Sequence, residues 1–136
     1  MGGDYVGWNT SQALDFKIGT TTPLLMQLQP SGDLNLVSGV GPTHVNAFQI
    51  GGSSILWHNG NTSDIFVGVG AGNNTMTGHG NTFMGKDAGI ASAAGEWNTF
   101  VGYKAGTTNT DGDWNTFIGY NAGKLNLDGL ENVYVG

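Results

Sequence analysis

The stretch Asn98-Thr99-Phe100-Val101-Gly102-Tyr103-Lys104-Ala105-Gly106 returns seventeen residues later as Asn115-Thr116-Phe117-Ile118-Gly119-Tyr120-Asn121-Ala122-Gly123, and this recurrence decides the fold. Stepping back by the same interval finds Asn81-Thr82-Phe83-Met84-Gly85-Lys86-Asp87-Ala88-Gly89, and before it Asp64-Ile65-Phe66-Val67-Gly68-Val69-Gly70-Ala71-Gly72. Stepping forward reaches Asn132-Val133-Tyr134-Val135-Gly136. The variable half of each unit also keeps one glycine in register, at Gly78, Gly95, Gly112 and Gly129. Five in-register copies without an insertion mark a repeat architecture.

A rigid period of 17 residues suits one turn of a β-solenoid. Its Thr-Phe-Val-Gly core is too short and too rich in strand formers for a helix. Two or three short strands joined by glycine corners use about that many residues, and successive coils then stack at the ~4.8 Å spacing of neighbouring strands. Stacking aligns like residues, so Asn81, Asn98, Asn115 and Asn132 are expected either to form a ladder of amide hydrogen bonds or to serve as turn residues.

Within the motif, neighbouring strand residues point to opposite faces. Phe66, Phe83, Phe100, Phe117 and Tyr134 therefore form one rank, and Val67, Met84, Val101, Ile118 and Val135 form the other. Both ranks are apolar in all five copies, as in a strand covered on each side. One rank fills the coil and the other needs a partner surface, which implies an oligomer packed along the solenoid axis. The sequence alone leaves open which rank does which.

Composition supports this reading and removes others. Glycine is abundant, at 25 of 136 residues, with only 3 prolines and no G-x-y period, which excludes collagen and points to tight turns. Lys and Arg total 4 against 10 acids, giving a net charge of −6 and no footprint for a phosphate backbone, so no nucleic-acid partner is expected. There is no cysteine, hence neither a disulfide framework nor a zinc-thiolate site. Met1-Gly2-Gly3-Asp4 lacks the basic and apolar regions of a signal peptide, and no apolar run approaches the ~20 residues of a membrane helix, so no membrane insertion is expected. The motif begun at Asn132 stops at Gly136, which leads to the expectation that a further coil, subunit or protein covers that end.

Residues 1–60 lack the period and read as an N-terminal β-hairpin module ahead of the solenoid at 61–136. Leu14, Phe16 and Ile18, then Met26 and Leu28, then Leu34 and Leu36 alternate as strands do, with Pro30-Ser31-Gly32-Asp33 as a hairpin turn. A second hairpin is expected from Phe48-Gln49-Ile50, through Gly51-Gly52-Ser53-Ser54, to Ile55-Leu56-Trp57. The expected class is thus all-β: a short hairpin region, then a β-solenoid (β-roll) of 17-residue coils, assembled as an intertwined parallel homotrimer.

The Asn-Thr-Phe-Ile-Gly-Tyr-x-Ala-Gly units resemble repeats in phage tail fibres and related bacterial trimeric fibre proteins. They are similar, more loosely, to the head repeats of trimeric autotransporter adhesins, which have a shorter period. Leu14-Asp15-Phe16-Lys17-Ile18-Gly19 with Ser31-Gly32-Asp33-Leu34, and Ile50-Gly51-Gly52 with Trp57-His58-Asn59-Gly60-Asn61, look like common tail-fibre modules. The resemblance covers most of residues 14–136, the repeats being its specific part. It implies a parallel homotrimer on a virion tail fibre or at the cell surface, attaching to a glycan or protein receptor, with other fibre or tail proteins at its ends. A bacterial surface adhesin of the same architecture is the alternative reading.

No catalytic residue, cofactor or metal site is expected, and the chain reads as a non-enzyme. No histidine pair has metal-ligand spacing; in a trimer, His58 or His79 near the axis would be triplicated, and they are the two that such a site would use. Asp111-Gly112-Asp113 and Asp64 lack the ligand density of a calcium loop. Gly68-Val69-Gly70-Ala71-Gly72 has no following Lys or helix to make a phosphate loop, and the acids pair nowhere for hydrolysis. Trp97, Trp114, Tyr103 and Tyr120 are the candidates for a receptor or glycan surface, since aromatic faces stack on sugar rings; packing between coils or chains is the competing use. An ice-binding solenoid is a more distant reading. It would need unbroken ranks of threonine, and Thr82, Thr99 and Thr116 supply one rank that the first and last copies break.

Overall fold

The computed structural model describes residues 53–136 throughout and, before them, the strand segments 5–8, 14–17, 26–28, 34–35 and 47–50. Every element among the described residues is a β-strand. The chain divides into two compact units, Met1–Ala47 and Phe48–Gly136.

In the first unit β1 (Tyr5–Trp8), β2 (Leu14–Lys17), β3 (Met26–Leu28) and β4 (Leu34–Asn35) form an antiparallel sheet in chain order. Leu14 pairs with Leu28, and Leu28 with Leu34. The turn residues Pro30–Asp33 lie outside the described residues, as do Gly51 and Gly52.

The second sheet has seven strands in the order β11 to β5. Two precede the repeat, β5 (Ala47–Ile50) and β6 (Ser53–Trp57). Each repeat then supplies one: β7 (Ile65–Val67), β8 (Thr82–Met84), β9 (Thr99–Val101), β10 (Thr116–Ile118) and β11 (Val133–Val135). The five repeat strands are parallel and in strict register, Phe66 opposite Phe83, Phe83 opposite Phe100, Phe100 opposite Phe117 and Phe117 opposite Tyr134. The offset of 17 is therefore one coil of a β-solenoid. Each strand is only three residues long because asparagine or aspartate precedes it and a positive-φ glycine follows its last residue.

The lumen belongs to the phenylalanines. Phe66, Phe83, Phe100 and Phe117 are fully buried, and their rings stack nearly face to face, 5.3, 4.8 and 4.8 Å apart between successive coils. Burying each such ring contributes about 1.5–3 kcal/mol. Ala71, Ala88, Ala105 and Ala122 line the same core, and the glycine after each alanine lies against the ring. A Cβ on Gly89 would sit 2.5 Å from the Phe83 ring, so the Ala-Gly pair is the narrowest wall that still closes on a phenylalanine. The other rank points outward: Met84 is 46% and Ile118 43% exposed, and Val135 is more exposed still.

Asn81, Asn98 and Asn115 are fully buried and form the ladder. The backbone N–H groups of Asn98, Asn115 and Asn132 donate to Oδ1 of the asparagine one coil earlier, at 3.0, 2.9 and 3.0 Å. The Nδ2 groups of Asn81, Asn98 and Asn115 donate to the carbonyls of Gly95, Gly112 and Gly129, at 2.9, 2.7 and 2.7 Å. Each side chain thus ties its strand to the following coil and to its own returning segment. The register glycines receive these bonds where a Cβ would not fit; one on Gly95 would lie 2.7 Å from the Gly112 carbonyl oxygen.

Candidate binding surface

Two ranks make the outer face of the repeat strands. One is Val67, Met84, Val101, Ile118 and Val135; the other is Ile65, Thr82, Thr99, Thr116 and Val133. They follow from the period-2 alternation that turns the phenylalanines inward. The threonines are half-buried and bounded by Ile65 and Val133, so the threonine rank is short and framed by apolar residues.

Trp97 and Trp114 sit at the corner before β9 and β10, both with left-handed backbone, φ 57° and 54°. The same corner is occupied by Gly80 and Glu131 in neighbouring coils, with φ 72° and 58°. A bulky aromatic residue is an uncommon occupant of this region and costs about 1 kcal/mol or more. Both indoles stay half in solvent, at 51% and 53%. Trp97 lies across Gly80 and meets the His79 ring edge-on at 5.3 Å.

Tyr103 and Tyr120 belong to the turn that follows the strand. Their rings stack at 5.4 Å and 11°, one coil apart. The ammonium groups of Lys86 and Lys104 lie 5.8 and 5.2 Å from the Tyr103 ring centroid, so Tyr103 is engaged by a neighbouring ring and two cations. Lys86 also donates to the Asp87 carboxylate at 2.6 Å, a contact that raises the pKa of its ammonium group. Ring contacts between coils thus involve Tyr103, Tyr120 and Trp97, while Trp97, Trp114 and Tyr120 each keep half or more of their surface exposed.

His58 lies in the loop after β6, where its Nδ1 accepts the Gly60 N–H at 3.0 Å. His79 Nδ1 is 3.1 Å from Glu96 Oε1 on the surface. Among the described residues no three His, Asp or Glu side chains gather into a group that could hold a metal ion, and no helix is long and apolar enough to cross a membrane.

Three features escaped the sequence reading. Trp57 on β6, antiparallel to β7, packs edge-on against Phe66 and covers the first coil. Asp64 stands first in the asparagine ladder, its Oδ1 accepting the Asn81 N–H at 2.8 Å. A second polar rank also lines the interior: Ser92 Oγ donates to the Asn109 carbonyl at 3.1 Å, and Asn126 Nδ2 donates to Asn109 Oδ1 at 2.6 Å. Asn109 and Asn126 are seventeen apart, and that spacing was the available signal. Comparison of the chain with family models, curated proteins and solved structures returned no match.

Proposed function

We propose that this chain is a structural attachment protein, a segment of a phage or phage-like tail fibre that works as a parallel homotrimer and binds a host cell surface. The supporting observation is the outward rank. Apolar side chains recur at Met84, Val101, Ile118 and Val135 on the solvent side of the sheet, although the lumen is already filled by phenylalanine. Such a stripe is the pattern of a surface that another subunit covers. Stacked coils add rigidity along one axis, the property an attachment fibre needs, and the repeat resembles those of tail fibres. The half-open Trp97 and Trp114 would present indole faces to a receptor, with sugar rings as the suited chemistry.

Light scattering of the chain at micromolar concentration tests this reading. The expected mass is three times that of one 14.1 kDa chain. A stable species of 14.1 kDa would contradict it.

A further inference from the structure

The loop joining β6 to β7 contains the single Asn-Gly pair of the sequence, Asn59-Gly60. The backbone nitrogen after an asparagine can attack the side-chain amide carbon and close a five-membered succinimide. Glycine in that following position obstructs the attack least, because it has no Cβ.

Two hydrogen bonds and an open approach equip this pair for the reaction. The Gly60 N–H donates to His58 Nδ1 at 3.0 Å, so an imidazole protonated on Nε2 already holds the proton that the nucleophile must lose. Asn59 Oδ1 accepts the Asn61 N–H at 3.1 Å. That donor polarises the amide carbonyl and faces the oxygen on which negative charge develops. The same bond folds the side chain back over its own peptide, the side from which the Gly60 nitrogen approaches. Gly60 is exposed, has φ 101°, and apart from its chain neighbours has no heavy atom within 4 Å of where a Cβ would stand, so water reaches the site.

We propose that Asn59 is a self-modification site with His58 as its general base. The Gly60 nitrogen bonds to Asn59 Cγ while its proton passes to His58 Nδ1. His58 returns that proton to Nδ2, the Cγ–Nδ2 bond breaks, and ammonia leaves a succinimide. Water then adds to either ring carbonyl and opens the ring to aspartate or isoaspartate at position 59. No oxidant or reductant takes part. The lost Nδ2 had donated to the Met76 carbonyl at 3.2 Å, across one coil. Conversion therefore removes one of the hydrogen bonds that hold this loop to the first coil, the Ser63 Oγ bond from the Gly80 N–H remaining.

The test is to incubate the full chain at neutral pH in oxygen-labelled water and follow Asn59 by peptide mapping. Asn59 is expected to convert several-fold faster in the folded chain than in the same chain held in denaturant. His58→Ala is expected to slow the folded chain by about tenfold or more, and added imidazole to restore part of the rate. A folded-chain rate at or below the denatured rate overturns the proposal without recourse to any variant. So does a rate that His58→Ala leaves unchanged.

Discussion

Trp57 meets Phe66 edge-on, ring centroids 4.9 Å apart at 61°, whereas Phe83 meets Phe100 face to face at 4.8 Å and 6°. The change of geometry marks where coil stacking ends. β6 runs antiparallel to β7, so no seventeen-residue partner of Phe66 can exist on that side, and the indole closes the lumen instead. Trp57→Ala is expected to destabilise the second unit by about 3 kcal/mol. Leu56→Ala, next to it but exposed, should cost about 1 kcal/mol or less. Urea denaturation followed by circular dichroism measures both.

The asparagine ladder predicts a large effect from a small polar side chain. Asn81→Ala would leave the Gly95 carbonyl without its amide donor and the Asn98 N–H without its acceptor, both in the interior. The expected loss is about 3 kcal/mol, since buried groups without partners cost about 1–3 kcal/mol each. Asn74→Ala, at an exposed turn, should change stability by about 0.5 kcal/mol or less. Equal effects from the two substitutions would remove the ladder from the list of stabilising features.

Asp64 predicts a pH dependence. Its Oδ2 is buried without a hydrogen-bond partner, where the next three coils have an asparagine Nδ2 donating to a glycine carbonyl. Burial raises the carboxyl above its ordinary 3.8, against the lowering effect of the Asn81 N–H. The folded state therefore favours the protonated form, and the stability this gives is fully present below pH 3.8 and lost as pH rises through the raised value. Asp64→Asn removes the titration and supplies the missing donor. Its advantage over the natural chain should be smallest in acid, widen as pH rises past the folded value, and reach about 1–3 kcal/mol at neutral pH. An advantage that stays constant with pH would refute this account of Asp64.

The repeat strands, their register and the gathering of the phenylalanines into one rank were legible because one interval of seventeen carries all of them, and parallel stacking converts that interval directly into neighbours. The direction of the two apolar ranks was not legible, since Phe100 and Val101 are both apolar and alternation cannot say which is inside. Ring size and the Ala105-Gly106 wall decide it: a flat ring fills the lumen, and the smaller Val101 is turned out. The second polar rank was obscured at its start. The first coil buries Met76, one position out of step with Ser92, Asn109 and Asn126. Trp57 carried no periodic signal because its partner strand runs the other way. The left-handed corners at Trp97 and Trp114 were hidden because the period reports recurrence and carries no backbone angle.

Thiol reactivity measures whether another subunit covers the outward rank. The sequence has no cysteine, so Ile118→Cys places a single probe on the outward rank and Leu125→Cys a single probe on an exposed turn. Both are challenged with a small polar alkylating reagent at micromolar protein concentration. Leu125→Cys is expected to react freely while Ile118→Cys is protected by about tenfold or more, and dilution to the dissociated chain is expected to abolish the difference. Equal reactivity at the two positions in concentrated protein would contradict coverage by another subunit, because the outward rank would then face water.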